Sequence, residues 1–113
     1  MIGVQEFQVR ARIGGETLRA WVEASWLIPS REEPEPAFSE ADVARARLIR
    51  DLTEDLGVNE DGVGVILDLV DQIHGLRRTL GDLVQAVRVQ PEAVQREIAA
   101  AVGEAAVAAR RDA

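Results

Sequence analysis

Glu16-Thr-Leu-Arg-Ala-Trp-Val-Glu-Ala-Ser-Trp-Leu-Ile-Pro-Ser-Arg31 sets the reading of this chain. Leu18, Trp21 and Val22 fall at helical spacing, and Leu27 comes after them as a further apolar position. Pro29 then opens Pro29-Ser-Arg-Glu-Glu-Pro-Glu-Pro36, which holds three of the four prolines. Proline blocks helix interiors and central strands, so this segment is a loop or a short edge hairpin. Upstream, Ile13-Gly14-Gly15 signals a turn. Before it, Val4–Arg12 fits helix or strand on pattern alone.

Downstream the helix signals sharpen. Ser39-Glu-Ala-Asp42 has the form of a capping box, and Phe38 stands where it can staple onto Val43. Val43, Leu48, Ile49, Leu52 and Leu56 form the predicted apolar stripe of the helix this opens, and Gly57 is placed to end it in a left-handed conformation. Asn59 caps the next helix, with Glu60 and Asp61 near its positive end. That helix carries Ile66, Leu69, Ile73, Leu76, Leu80, Leu83 and Val87, spaced alternately three and four apart. Such a heptad seam faces a second helix, in this chain or in a partner. Gly75 and Gly81 each cost about 1 kcal/mol against Ala, and permit close backbone approach or mark a bend. Pro91 resets the chain into a last helix to Arg110, with Val94, Ile98, Val102 and Val107 apolar. Its eight alanines fit tight packing or a frayed tail.

Composition narrows the chemistry. The 113 residues suffice for one domain, or one domain with a helical appendage. There is no cysteine, so disulfides and thiolate sites are out, and the single histidine, His74, excludes a His-rich metal centre. No apolar run approaches the length of a membrane span and no signal peptide is visible, so a reducing cytoplasm is the expected compartment. Every basic residue is arginine, and the net charge is −7. The imbalance is local: residues 32–61 hold ten acids against three arginines. An acidic surface repels phosphate backbones and favours cationic partners.

Catalytic motifs are weak. Ser25, Ser30 and Ser39 have one histidine among them to pair with, and His74 sits next to Ile73 on a helix, where a surface or interface role suffices. Glu54/Asp55 and Glu60/Asp61 sit at a helix end and a helix start. Gly14-Gly15 and Gly62-Val-Gly64 lack the lysine and spacing of a phosphate loop. No catalytic residue, metal ligand or cofactor is assigned.

The opening stretch resembles the helix-turn-helix signature of MerR-type regulators, through Thr17, Leu18, Arg19, Leu27, Pro29 and Arg31 without gaps. The resemblance runs over about residues 4–87, through a wing-like loop, Phe38-Ser39, Leu56-Gly-Val-Asn59 and the heptad helix, which in that family pairs two subunits. The departures are at the DNA contacts. Ala20 replaces the first tyrosine, Pro36 stands at the wing arginine, and the wing Arg31-Glu-Glu-Pro-Glu-Pro36 is acidic. Arg19 can touch a phosphate or brace the helix through Glu23.

A MerR-like shape without its DNA surface resembles the CbpM-type chaperone modulators. The matching residues are Trp26, Phe38-Ser-Glu-Ala-Asp42, Arg47-Leu48, Asp55-Leu-Gly-Val-Asn59 and Gly62-Val-Gly-Val-Ile-Leu-Asp-Leu-Val-Asp-Gln-Ile73. Leu67-Asp-Leu-Val-Asp71 is the most specific piece, though the two Asp also fit the solvent face of an amphipathic helix.

The predicted fold is all-α: a MerR-like winged helix-turn-helix head (1–58), a coiled-coil-type dimerisation helix (59–90) and a C-terminal helical tail (91–113). The resemblance implies a non-enzymatic, inhibitory modulator that binds the J-domain of a DnaJ-like co-chaperone and competes with Hsp70. Glu40, Asp42, Asp51, Glu54 and Asp55 are the candidate partner contacts, and Ile66, Leu69, Ile73, Leu76, Leu80, Leu83 and Val87 the seam of a homodimer. Neither nucleic acid nor membrane is an expected partner; the alternative reading is a MerR-type DNA-binding transcriptional regulator.

Overall fold

The computed structural model describes residues 1–31 and 35–112. They form an all-α chain with five α-helices, one π-helical turn and no strand. Two compact units divide it, Met1–Leu69 and Val70–Ala113.

In the first unit, α1 (Val4–Ala11) settles the ambiguity at the N-terminus in favour of helix: Phe7 and Ala11, four apart, are both buried on one face. α2 (Gly15–Glu23) buries Leu18 and Trp21. Both helices end in the same way, on a residue that is not glycine. Arg12 (φ 58°) and Ser25 (φ 62°) adopt the left-handed conformation. After Arg12, the Ile13 N–H reaches the Gln8 carbonyl at 3.1 Å; after Ser25, the Trp26 N–H reaches the Trp21 carbonyl at 2.9 Å. These are Schellman closures, and the tilted Trp21–Trp26 ring contact supplies the hydrophobic pair that accompanies such a motif. A side chain in this conformation carries steric cost that glycine avoids. Ser25→Gly is therefore expected to stabilise the unit by about 1 kcal/mol in chemical denaturation. A lowered denaturation midpoint would show that the serine side chain itself holds the turn.

The wing is minimal. Ser30 and Ala37 form one antiparallel bridge, and Ile2 and Phe38 form another that ties the N-terminus to the wing's return. Glu32, Glu33 and Pro34, part of the acidic wing, lie outside the described residues. Phe38 stacks on Phe7 with centroids 4.0 Å apart.

α3 (Glu40–Arg50) starts from the capping box expected at Ser39: the Asp42 N–H donates to Ser39 Oγ at 3.1 Å, and the Ser39 N–H to Asp42 Oδ2 at 2.8 Å. Val43, Ile49 and Leu52 of the predicted stripe are buried and Leu48 is half-buried. Leu56 departs from it. Asp51–Asp55 forms a π-helical turn, in which the Leu56 N–H bonds the Asp51 carbonyl five residues back. The wider turn carries one extra residue and rotates the next residues off the α-helical stripe. Leu56 is 69% exposed, and Val58 packs against the core beyond it. The Thr53 hydroxyl donates to the Ile49 carbonyl at 2.9 Å, satisfying a backbone acceptor within the distorted ladder. Gly57 (φ 63°) then ends the helix in the left-handed conformation, as its position predicts.

α4 (Glu60–Arg88) is capped by Asn59, whose Oδ1 accepts from the Gly62 N–H at 2.8 Å. Val63 and Leu67 are buried in the same core as Phe7, Phe38 and Ile49, so the head draws on α4 beyond residue 58. Ile66, the first position of the expected seam, is half-buried against this core too. The stripe left open therefore begins at Leu69.

In the second unit, α4 passes through Gly75 and Gly81 as unbroken helix. α5 (Glu92–Asp112) comes next. Gln95 fixes the junction: its Nε2 donates to the Gln90 carbonyl at 2.8 Å and the Arg88 carbonyl at 3.2 Å. Among the described residues α5 buries no side chain, and α4 and α5 form no packed interface.

Candidate functional site

Two surfaces of the first unit bear on function. The first is the helix-turn-helix face. The exposed positions of α2 include Glu16, Arg19, Ala20 and Glu23, two acids against one cation. Arg19 makes no ion pair with Glu23, and neither it, Arg12 nor Arg31 has an ionic partner among the described residues.

The other four arginines of the unit are engaged internally. Arg10 meets Glu40 with two parallel bonds, one of 2.7 Å from Nη1 to Oε1, joining the last turn of α1 to the first turn of α3. That hydrogen-bonded pairing holds the Glu40 carboxyl below its ordinary range and raises the guanidinium in turn. Arg47 donates from Nε and Nη2 to the Arg10 carbonyl at 3.2 Å, covering an orphan acceptor at the end of α1. Arg45 Nε bonds the Trp26 carbonyl, and Arg50 pairs with Glu54 at 3.1 Å. A guanidinium held this way braces the fold and is not available to clamp phosphates.

The second surface is the π turn and the start of α4. Between Asp51 and Leu76 the chain has seven acids and no arginine. Asp51, Glu54, Asp55, Glu60 and Asp61 are all exposed, and Leu56 projects among them in sequence. The two halves of this run differ physically. Glu60 and Asp61 stand at the N-terminus of α4, where the helix dipole favours negative charge. Asp51, Glu54 and Asp55 stand at the carbonyl end of the helix that begins at Glu40, where the dipole disfavours it. Helix stability does not account for Asp51 and Asp55, and gives Glu54 only its exposed i,i+4 pair with Arg50.

The five candidate contacts thus fall into two sets. Glu40 is committed to Arg10, and Asp42 to the capping box, at the start of α3. Asp51, Glu54 and Asp55 gather on the π turn, Glu54 with Arg50 as a partner. Leu56 was not legible as part of this face, because its spacing places it on the buried stripe; the weak helix formers of Asp51-Leu-Thr-Glu-Asp55 are the only signal that the turn would distort. Of the expected seam, Leu69, Ile73, Leu76, Leu80 and Leu83 are exposed in the single chain, and Val87 is half-buried. Ser39 is absorbed by its cap and Ser25 by its turn; His74 is exposed on α4. No group of three metal-ligating side chains occurs among the described residues, and no helix of them is long and apolar enough to cross a membrane.

A helix-turn-helix with a short wing, leading into a long helix, defines a winged helix-turn-helix protein of the MerR-like class. The chain belongs to the family described as MerR HTH family regulatory protein, whose model matches residues 2–85. This is a regulatory rather than an enzymatic kind of protein. No curated protein and no solved structure gives a significant match.

Proposed function

We propose that this chain is a non-enzymatic modulator of a DnaJ-like co-chaperone, which binds the J-domain and competes there with Hsp70. The observation that carries the reading is the acidic π turn with Leu56 turned outward. A cationic helix presenting apolar residues finds on it both opposite charge and an apolar anchor. A DNA backbone finds a recognition helix with more acids than cations, and arginines mostly spent on internal bonds. The J-domain, as the CbpM-type resemblance implies, shows a basic helix to Hsp70, so a ligand of that helix is a competitor. Asp51, Glu54, Asp55 and Leu56 form the contact; Glu40 and Asp42 stand at the other end of α3, engaged by Arg10 and the capping box. Two chains pair through the open stripe of α4, so each assembly offers two such faces.

The DNA-binding reading draws on the family match and on exposed Arg12, Arg19 and Arg31. One titration separates the two. An isolated J-domain and a promoter-length duplex are each titrated into the protein across a salt series. The expected result is J-domain binding that weakens as salt rises, with loss of J-domain-stimulated Hsp70 ATPase activity. Sub-micromolar duplex binding at physiological salt, with none to the J-domain, overturns the proposal.

A further inference from the structure

The apolar face of α4 is wider than a two-stranded seam needs. Beside the seam positions Leu69, Ile73, Leu76, Leu80 and Leu83 run Val70 and Val84, each one residue beyond a leucine of the seam. The corresponding position between them is Arg77. A helix facing one partner carries a narrow stripe, and a helix facing two carries this broader one. Val70 is half-buried in the single chain, while Arg77 and Val84 are exposed, so this flank stays open from Arg77 to Val84 after two α4 helices pair.

α5 offers a face that fits it. Val94, Ile98, Ala101, Ala105 and Ala108 recur at coiled-coil spacing, and small residues let helices approach closely. α5 buries no residue outright: Val94 and Ile98 are half-buried near the junction, and Ala101, Ala105 and Ala108 are exposed. The hydrogen bonds of Gln95 and Gln90 fix the junction in a form that leaves α5 unpacked against its own α4. The charges agree as well. Beside the α5 stripe stand Glu97 and Glu104, seven apart; on the α4 flank stands Arg77, with Arg78 next to it. Length agrees too: at 1.5 Å per residue, Val94–Ala108 covers about 21 Å of the roughly 27 Å from Leu69 to Val87.

We infer that α5 of each chain lies along the α4 flank of a second copy, closing a four-helix assembly with Glu97 and Glu104 against Arg77 and Arg78. This rests on the α4 pairing proposed above and extends it to the C-terminal helix.

The chain has no cysteine, which makes single-site cross-linking clean. Full-length Val84→Cys protein is mixed with full-length Ile98→Cys protein and treated with a short bismaleimide. The expected product is a heterodimer joined between the two variants, in excess over either homodimer. A second pair of variants reads the energetics. Ile98→Glu with Ala105→Glu places two charges on the stripe, and the dimer is expected to weaken about tenfold or more in sedimentation equilibrium. Ala99→Glu with Ala106→Glu places the same charges off the stripe and is expected to leave it unchanged. A dimer that gives no mixed cross-link and tolerates charges on the stripe overturns this inference and leaves the α4 pairing standing. A full chain that sediments as a monomer overturns both.

Discussion

Leu76→Asp with Leu80→Asp is expected to convert the proposed α4-paired dimer to a monomer. The two leucines are 70% and 59% exposed in the single chain, and they occupy the middle of the open stripe. An isologous pairing buries them from both copies, four leucines at about 1.5–3 kcal/mol each. The carboxylates that replace them have no cation at seam positions to meet, and an unpaired charge in a closed seam is costly. The dimer should weaken by at least about a thousandfold even after the usual discount for association entropy. Sedimentation equilibrium reads the change. The head should keep its thermal transition, because its core ends on α4 at Leu67. A variant that remains dimeric at micromolar concentration would place the interface elsewhere.

The parts of this fold that were legible in the sequence rest on local physics. Ser39 and Asp42 cap α3 because a hydroxyl and a carboxylate three residues apart meet orphan N–H groups wherever a helix starts. Asn59 and Gly57 are readable for the same reason, one by its side-chain acceptor and the other by its tolerance of positive φ. Heptad spacing marked the stripe on α4, but spacing does not say where the head's core stops, and Ile66 went to the head.

The features that stayed hidden depend on distant partners or on a changed helical period. Arg47 meets a carbonyl 37 residues away, and Arg10 meets Glu40 across 30; no spacing rule connects such pairs. The non-glycine turns at Arg12 and Ser25 carry no local signature, since the residues themselves disfavour the conformation they adopt. Leu56 is the instructive failure. A rule built on 3.6 residues per turn assigns it to the core, and one π turn sends it to the surface. The acids around it were legible from composition, and Gly57 already placed Glu54 and Asp55 at a helix end; what stayed hidden is the π turn that brings Leu56 to the surface among them.

That placement makes the charge-reversal experiment decisive, because it alters recognition and leaves stability nearly unchanged. Asp51→Arg, Glu54→Arg and Asp55→Arg together change the π-turn face by six charges. Asp51 and Asp55 hold no ionic partner among the described residues, and Glu54 gives up one exposed i,i+4 pair with Arg50. Such a pair is worth about 0.3–0.5 kcal/mol. Cations at the carbonyl end of a helix recover a comparable amount or more from the dipole. The new cations at 51 and 54 stand four residues after Arg47 and Arg50, a like-charge spacing that costs a similar amount, so stability is expected to hold to within about 1 kcal/mol in urea denaturation. J-domain affinity is expected to fall by about a hundredfold at low salt, mostly through slower association. Leu56→Ala, with all charges kept, is expected to leave the association rate and speed dissociation, because it removes the anchor and not the steering field. A reversed face that is as stable as before and binds the J-domain as tightly would strip these acids of any role in recognition. A face selected only for folding gives a different pattern again: Asp51 and Asp55 gain nothing from the dipole in the free protein and Glu54 only its pair with Arg50, so reversal would then carry no loss of function.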